Sequence, residues 1–432
     1  MWGAWLRHDV RQVREDGVGM GRFTRAGAVV GAFGLVAALA LAGCGNDREQ
    51  ATFVDGATPA ERGTPREPVA PLSVSPAEGA AKQPVSAEIS ATDLADGSSL
   101  SAVTLATADG TAVEGQLRAD GSSWVPSTPL EYGASYTATV TATTANGGTR
   151  AGHSTFTTMA KPKSKSMISS GLYLFDDREY GVAMPVVVEF HPGIPEQDRA
   201  AVQRRMFVRT DPVQPGAWHW VNGNQAYYRA PEYWRPGTTL HVRVALAGVP
   251  LSNGRYGNVD RVATVKIGRA FKMKVDNASK QMTVYEDGQV IRTLPVSLGA
   301  KKTPSSSGMM VIMEKKESTV FDTRDEPDPD NRYVTEIDYA QRLTWNGEYI
   351  HAAPWSEHVQ GRQNVSHGCV NISTAHARWL FSKTKIGDPI AVAGTERQLT
   401  AGNGWTAWNL SWPEFVKGSA LSVPEGGAGS PF

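Results

Sequence analysis

The stretch 364–373, "NVSHGCVNIS", holds one of only two cysteines in a chain of 432 residues. A cysteine becomes a nucleophile when its thiolate is favoured by a neighbouring imidazole or by fixed positive dipoles. Two histidines stand at suggestive places before Cys369: His367 in the same stretch, and His351 in "EYIHAAPW". One imidazole can accept the thiol proton and later return it to a leaving amine. Gly368 lets the backbone approach a substrate closely, and the N–H groups of Gly368 and Cys369 can face a developing oxyanion. Together these residues point to acyl transfer. Taken singly they leave two other readings open. A cysteine with one or two histidines could bind zinc, although no second cysteine gives a paired ligand spacing. Cys369 could also be an inert, buried thiol packed beside a histidine.

The other cysteine bears on the choice. Arg22 and Arg25 precede an almost uncharged run, "AGAVVGAFGLVAALALAGC", residues 26–44. A basic stretch, an apolar stretch and small residues before a cut site read as an export signal over 1–43. A membrane-spanning helix is the competing reading, because the run is nearly long enough to cross a bilayer. The Ala and Gly content and the ending "LAGC" favour the signal, since that ending resembles the bacterial lipobox, in which the cysteine is lipidated and becomes the new N-terminus. Met20 is a candidate start, because the preceding residues carry charges of both signs and look unlike a signal. If Cys44 carries lipid through its sulfur, it cannot pair with Cys369. Cys369 is then a lone thiol in an oxidising compartment, where spare thiols are a hazard unless used.

The elements that must position this chemistry are mostly strands. The length calls for several domains. Lys and Arg number 43 and Asp and Glu 43, so there is no basic footprint for nucleic acid. Residues 44–68 are polar and rich in Gly, Pro and Thr, and read as a flexible tether. Residues 69–160 contain short alternating segments such as "SAVTLATA" and "SYTATVTATT" between Asp-Gly and Asn-Gly turns, the pattern of an antiparallel sandwich. A second unit spans 161–267. In it "WRPGTTLHVRV" lines up with "LEYGASYTATV" of the first, matching Gly237 to Gly133 and Leu240, Val242 and Val244 to Tyr136, Ala138 and Val140. Self-similarity at one domain length implies tandem copies of one sandwich, and both resemble bacterial immunoglobulin-like modules. Neither carries a polar constellation, so both are expected to be spacers. Residues 268–395 open with strands flanking the "EDG" hairpin signal at 286–288. Their one strong helix, 373–384, follows Cys369, with Ser373 or Thr374 as cap and Trp379 and Leu380 as its buried face. The tail 396–432 carries Trp405, Trp408 and Trp412, which are expected to pack back on this third unit. The expected fold is mainly β.

The longer string "HAAPWSEHVQGRQNVSHGCVN", His351 to Asn371, closely resembles the signature of the L,D-transpeptidase (YkuD) family: a histidine, a fixed gap, then Ser-His-Gly-Cys-x-Asn. "VSLGAKKTPSSSG" also looks like that family's Gly and Thr-Pro turns. The resemblance covers roughly 268–395, and the lipobox with two immunoglobulin-like units matches the layout of actinobacterial members. It implies that Cys369 is the nucleophile and His351 its general base. His367 supports the site, while Ser366 and Asn371 shape the loop. The base is oriented by the backbone carbonyl of Ala352, where some relatives have Ser or Gly. Tyr333 resembles a lid tyrosine that closes on the donor peptide, and Trp355 a pocket-wall aromatic. Strand-edge and packing roles are their plain alternatives. His358 and His376 have no family role and are expected at the surface.

The reaction implied is cross-linking of peptidoglycan stem peptides, third residue to third residue, through a cysteine thioester with release of D-Ala, and with carbapenem β-lactams as probes that acylate the cysteine. No cofactor or metal is called for. The implied partners are donor and acceptor stems, and the membrane through a lipid anchor. The expected state is a monomer on the outer face of the plasma membrane. Two rivals stand beside it: an L,D-carboxypeptidase, if water takes the thioester, and a non-catalytic wall-binding lipoprotein.

Overall fold

The computed structural model describes residues 70–325, 329 and 332–424. The lipidation candidate Cys44, the signal and the whole tether lie outside the described residues. The rest is mainly β. Among the described residues no helix is long and apolar enough to cross a membrane.

In the first sandwich the main sheet runs in the order Ala80–Gln83, Thr149–Thr158, Ser135–Thr143, Ser99–Thr107, Ala112–Val113. Along Ser135–Thr143 burial alternates, with Tyr136, Ala138, Val140 and Ala142 inward, which is the pleat reading of the sequence. The second unit packs a five-stranded sheet on a four-stranded one, and Thr239–Val244 sits centrally in the latter with Leu240, Val242 and Val244 inward. The internal repeat extends to the hydrogen bonds. Gly133 (φ 69°) and Gly237 (φ 83°) both adopt the left-handed conformation that glycine tolerates. Gly133 N–H donates to Met159 O at 3.0 Å and Gly237 N–H to Ile267 O at 2.9 Å, so each turn closes on the end of the strand that pairs with the one it opens.

The third unit has two sheets. One is six-stranded and runs Gln289–Pro295, Gln281–Glu286, Phe271–Asp276, Pro389–Ala393, Ser306–Val311, Arg397–Gln398. The other is four-stranded and runs Glu314–Asp322, Val334–Arg342, Tyr349–Ala352, Val370–Ile372. Asp287 and Gly288, both at positive φ, make the two-residue turn between Gln281–Glu286 and Gln289–Pro295. Phe271, Val284, Leu294, Ile312, Ile350 and Ile372 fill the space between the sheets. The helix Thr374–Lys383 is capped by the Ser373 side chain, which accepts the His376 N–H. It buries Ala377 and Leu380, while Trp379 is only half-buried, beneath the Arg292 guanidinium at 4.0 Å. The exposed turn of the helix needed less apolar cover than its tryptophan suggested.

The tail departs from expectation. Its tryptophans pack chiefly on the second sandwich rather than on the third unit. Trp405 meets Tyr173 edge-on at 5.4 Å and Trp408 meets Tyr233 at 4.6 Å. A short helix, Trp412–Val416, closes the strap with a capping box of Ser411 and Glu414. Beneath it lies Arg229, 2 % exposed, which the sequence shows only as the end of the strand Gln225–Arg229. Its guanidinium donates to Ala407 O at 3.0 Å and Leu410 O at 2.8 Å and lies over Trp408, Trp412 and Phe415. The aromatic faces follow this buried cation.

Candidate active site

Tyr349–Ala352 and Val370–Ile372 are adjacent parallel strands with Ile350 opposite Val370, His351 opposite Asn371 and Ala352 opposite Ile372. Residues two apart share a face of a strand. Cys369, at the mouth of the second strand, therefore approaches the face that carries His351. The covalent link between them is the long excursion 353–368, so the two come together only through strand pairing.

The imidazole is fixed. His351 is 3 % exposed, and its Nδ1 lies 2.8 Å from Ala352 O. An Nδ1–H donor there leaves Nε2 without a proton. Burial pushes the imidazole down to about 4, against the pull of that hydrogen bond. Phe321 stands edge-on to the ring at 5.7 Å, and Trp355, 53 % exposed, lies 6.0 Å away on the open side.

The sulfur is held by main chain. The Cys369 thiol donates to Gly347 O at 3.6 Å. Burial pushes it up to about 12; the Tyr349 backbone hydrogen bond opposes this and the Glu348 charge adds to it. At neutral pH the resting groups are thus a thiol and a neutral imidazole.

The loop before the cysteine carries its own scaffold. Ser366 is buried, and its hydroxyl donates to Cys369 O at 2.7 Å while accepting the Gly368 N–H at 3.1 Å. This corrects one expectation. The Gly368 amide is satisfied inside the loop by the neighbouring hydroxyl, so it does not face an oxyanion, and the Cys369 amide is left as the loop's candidate donor. Gly368 itself is needed for its backbone, at φ 122°. The segment "VSLGAKKTPSSSG" cradles the loop from below. Ser366 N–H donates to Leu298 O at 3.0 Å, Ala300 N–H to Ser366 O at 2.8 Å, and Ser305 Oγ to Gly368 O at 2.7 Å. Asn371 is buried, exchanges main-chain hydrogen bonds with Ser297 and reaches Ser356 Oγ at 3.4 Å.

His367 sits elsewhere. It is exposed, and its ring meets that of Tyr333 at 5.1 Å. Tyr333 is half-buried at the base of the Val334–Arg342 strand, where its N–H donates to Thr323 Oγ1 at 2.8 Å. The hairpin of Glu314–Asp322 and Val334–Arg342 sets Phe321 against His351, and Tyr333, just before its second strand, against His367. His358 is exposed as expected; His376 is half-buried, and burial lowers its affinity for a proton.

The profile of the L,D-transpeptidase catalytic domain matches residues 271–392, and that of a bacterial Ig domain matches 82–250. The chain is 32 % identical over 369 residues to L,D-transpeptidase 2 of Mycobacterium tuberculosis, covering 84 % of this chain and 88 % of that one. The chain belongs to the L,D-transpeptidase family. It is also 33 % identical over 369 residues to L,D-transpeptidase 5 of the same species, covering 83 % of this chain and 79 % of that one. Among solved structures, that of the LD transpeptidase LdtMt1 in complex with imipenem is similar over 52 % of this chain and 97 % of its own, with 34 % identity and a TM-score of 0.44.

One pair beside the cysteine is absent from the family signature as read from the sequence. Glu348, 4 % exposed, forms an ion pair with Arg397. Nothing in local spacing joins residues so far apart; the pairing exists because the short strand Arg397–Gln398 adds to the edge of Ser306–Val311.

Proposed function

We propose that the chain is a cysteine-dependent L,D-transpeptidase that cross-links peptidoglycan stems, with Cys369 as nucleophile and His351 as base. The observation that carries this reading is the buried imidazole with Nδ1 tied to Ala352 O, on the strand that pairs with the cysteine's own. His351 Nε2 accepts the thiol proton as sulfur attacks the carbonyl between the diamino acid and the terminal D-Ala of a donor tetrapeptide. The imidazolium then protonates the departing D-Ala amine, leaving a thioester. An acceptor amine attacks the thioester, gives a proton to His351, and the thiol is restored when that proton returns to sulfur. The Cys369 amide faces the oxyanion of both steps. Ser366 and Asn371 hold the loop. Trp355 and Tyr333 line the donor cleft, with His367 packed against Tyr333. No cofactor enters any step.

The work site lies outside the cytoplasm, where the polymer is. Lipidation at Cys44 anchors a monomeric chain to the outer face of the plasma membrane, and the two sandwiches carry the catalytic unit toward the wall.

Incubating the protein with disaccharide-tetrapeptides and reading the products by mass tests the reaction. The expected product is a dimer linked between third residues, with D-Ala released. Tripeptide alone would assign the protein as an L,D-carboxypeptidase, and unchanged substrate would leave a wall-binding lipoprotein.

A further inference from the structure

Glu348 occupies an unusual place. The residue before it, Gly347, supplies the carbonyl that accepts the Cys369 thiol, and the residue after it, Tyr349, supplies the backbone hydrogen bond to the sulfur. The two main-chain groups that grip the sulfur are therefore consecutive with this one buried carboxylate. The carboxylate points away, into the body of the domain. Its Oε1 accepts from Ser306 Oγ at 2.8 Å and from Arg397 Nη2, and its Oε2 accepts the Ser306 N–H at 3.2 Å. The neighbouring Ser305 donates to Gly368 O at 2.7 Å, on the other side of the cysteine. A methyl group built on Gly368 would stand 3.6 Å from Arg397 Nη2 and 3.7 Å from Glu348 Cγ. Both partners of the ion pair thus pack directly under the cysteine loop.

We propose that Glu348 and Arg397 are positioning residues for Cys369: their ion pair clamps the Gly347–Tyr349 backbone against the sulfur, and Arg397 offsets part of the charge that such a clamp places beside a developing thiolate. The inference rests on the reading of Cys369 as nucleophile. A carboxylate gives the clamp strong, directional hydrogen bonds to Ser306. Alone, however, it would repel negative charge forming on sulfur more strongly, and Arg397 reduces that cost. Burial favours the neutral acid of Glu348, and the hydrogen bond from Ser306 and the charge of Arg397 oppose it. The other titratable groups around the sulfur are His351 and the Tyr349 phenol, with Arg342 and Glu314 behind the latter. Lys301 and Lys302, in the turn that packs on the loop, are exposed to solvent.

The test is the pH midpoint of Cys369 alkylation by iodoacetamide, read by peptide mapping on the full chain, together with the rate of carbapenem adduct formation. Arg397→Gln leaves the carboxylate uncompensated and is expected to raise the midpoint by about one pH unit, roughly tenfold in rate below it. Glu348→Gln leaves a guanidinium beside the sulfur and is expected to lower the midpoint. The double variant is expected to fall between the two while forming the adduct at least tenfold more slowly than wild type, because the clamp is gone. Arg397→Lys keeps the charge and should leave the midpoint unmoved, a control that holds even if Glu348→Gln fails to fold. Shifts of the same sign in both single variants, or no shift in Arg397→Gln, would overturn the proposal. Failure of the underlying reading looks different: the wild type would form no adduct at Cys369 although its alkylation midpoint still answered to the charge variants.

Discussion

His351 stands directly opposite Asn371 across a parallel strand pair, and its Nδ1 is spent on the carbonyl of the next residue, Ala352, at 2.8 Å. The free ring nitrogen is therefore the one offered to the cleft, whereas the His367 ring is exposed and engaged with Tyr333. The two histidines should separate in kinetics. His351→Ala is expected to slow carbapenem acylation of Cys369 by about 10³-fold, within the range of a lost general base. His367→Ala should cost about tenfold or less, through the packing of Tyr333. Adduct mass against time measures both. Near wild-type acylation in His351→Ala would exchange the roles.

The acidity of that imidazole gives a second expectation. Burial holds His351 at about 4, below its usual range. The base is neutral above this value, so the acylation rate should stay level from about pH 8 down to about 5 and fall only as pH drops through about 4. Stability follows the same sign. Below the ordinary histidine value the unfolded chain binds the proton that the folded chain refuses, so stability from this group is full above about 6.5 and is lost as pH falls toward 4. A stopped-flow pH profile in which the rate already halves near 6.5 would show a solvated base instead.

Ser366 links three parts of the loop through one hydroxyl, which donates to Cys369 O and accepts the Gly368 N–H. Ser366→Ala leaves both groups buried and unpaired, which costs about 1–3 kcal/mol. Urea unfolding should show a lower midpoint at unchanged slope, and acylation should slow as the Cys369 amide loses its fixed direction. Ser366→Thr keeps the hydroxyl and should recover most of the stability.

Much of this was legible in the sequence because it is local. Alternation along 135–143 sets the inward residues of one strand, Asp287-Gly288 sets a two-residue turn, and the Gly133/Gly237 match foretells two turns closed by the same hydrogen bond. His351 and Cys369 were legible as a pair through the spacing of a known signature, which summarises a strand pairing without displaying it. What stayed hidden depends on contacts between distant segments. The Gly368 amide was offered as an oxyanion donor because the letters give no rotamer for Ser366. Glu348 and Arg397 meet only through the edge strand at 397–398. Arg229 ends an unremarkable strand, and only the returning tail turns it into a buried cation.

That tail decides how separable the catalytic unit is. If the second sandwich is only a spacer, a fragment beginning near Lys266 keeps the chemical step, with poorer stability if the sandwich packs on it. The structure ties the two together. Gly181 N–H donates to Ile386 O at 2.8 Å and Ala183 N–H to Gly387 O at 3.0 Å, and the strap carrying Trp405, Trp408 and Phe415 shares one apolar core with Trp218, Trp234 and Leu240 of the sandwich. Cutting before Lys266 would expose that strap, while the Trp405 main-chain N–H also donates to Met313 Sδ of the catalytic unit at 3.2 Å. The fragment is therefore expected to unfold at a temperature several degrees lower than the full chain, with slowed acylation following from poor folding. Arg229→Met, in the full chain, isolates the cause. It removes the donor for Ala407 O and Leu410 O but keeps much of the apolar stem, and should cost about 2–4 kcal/mol, as loss of a buried hydrogen-bonded cation does. Thermal melts should show the loss, and tryptophan fluorescence should shift red as Trp408 and Trp412 come free. A fragment from Lys266 that melts with the full chain and acylates at its rate would make the sandwich a spacer after all.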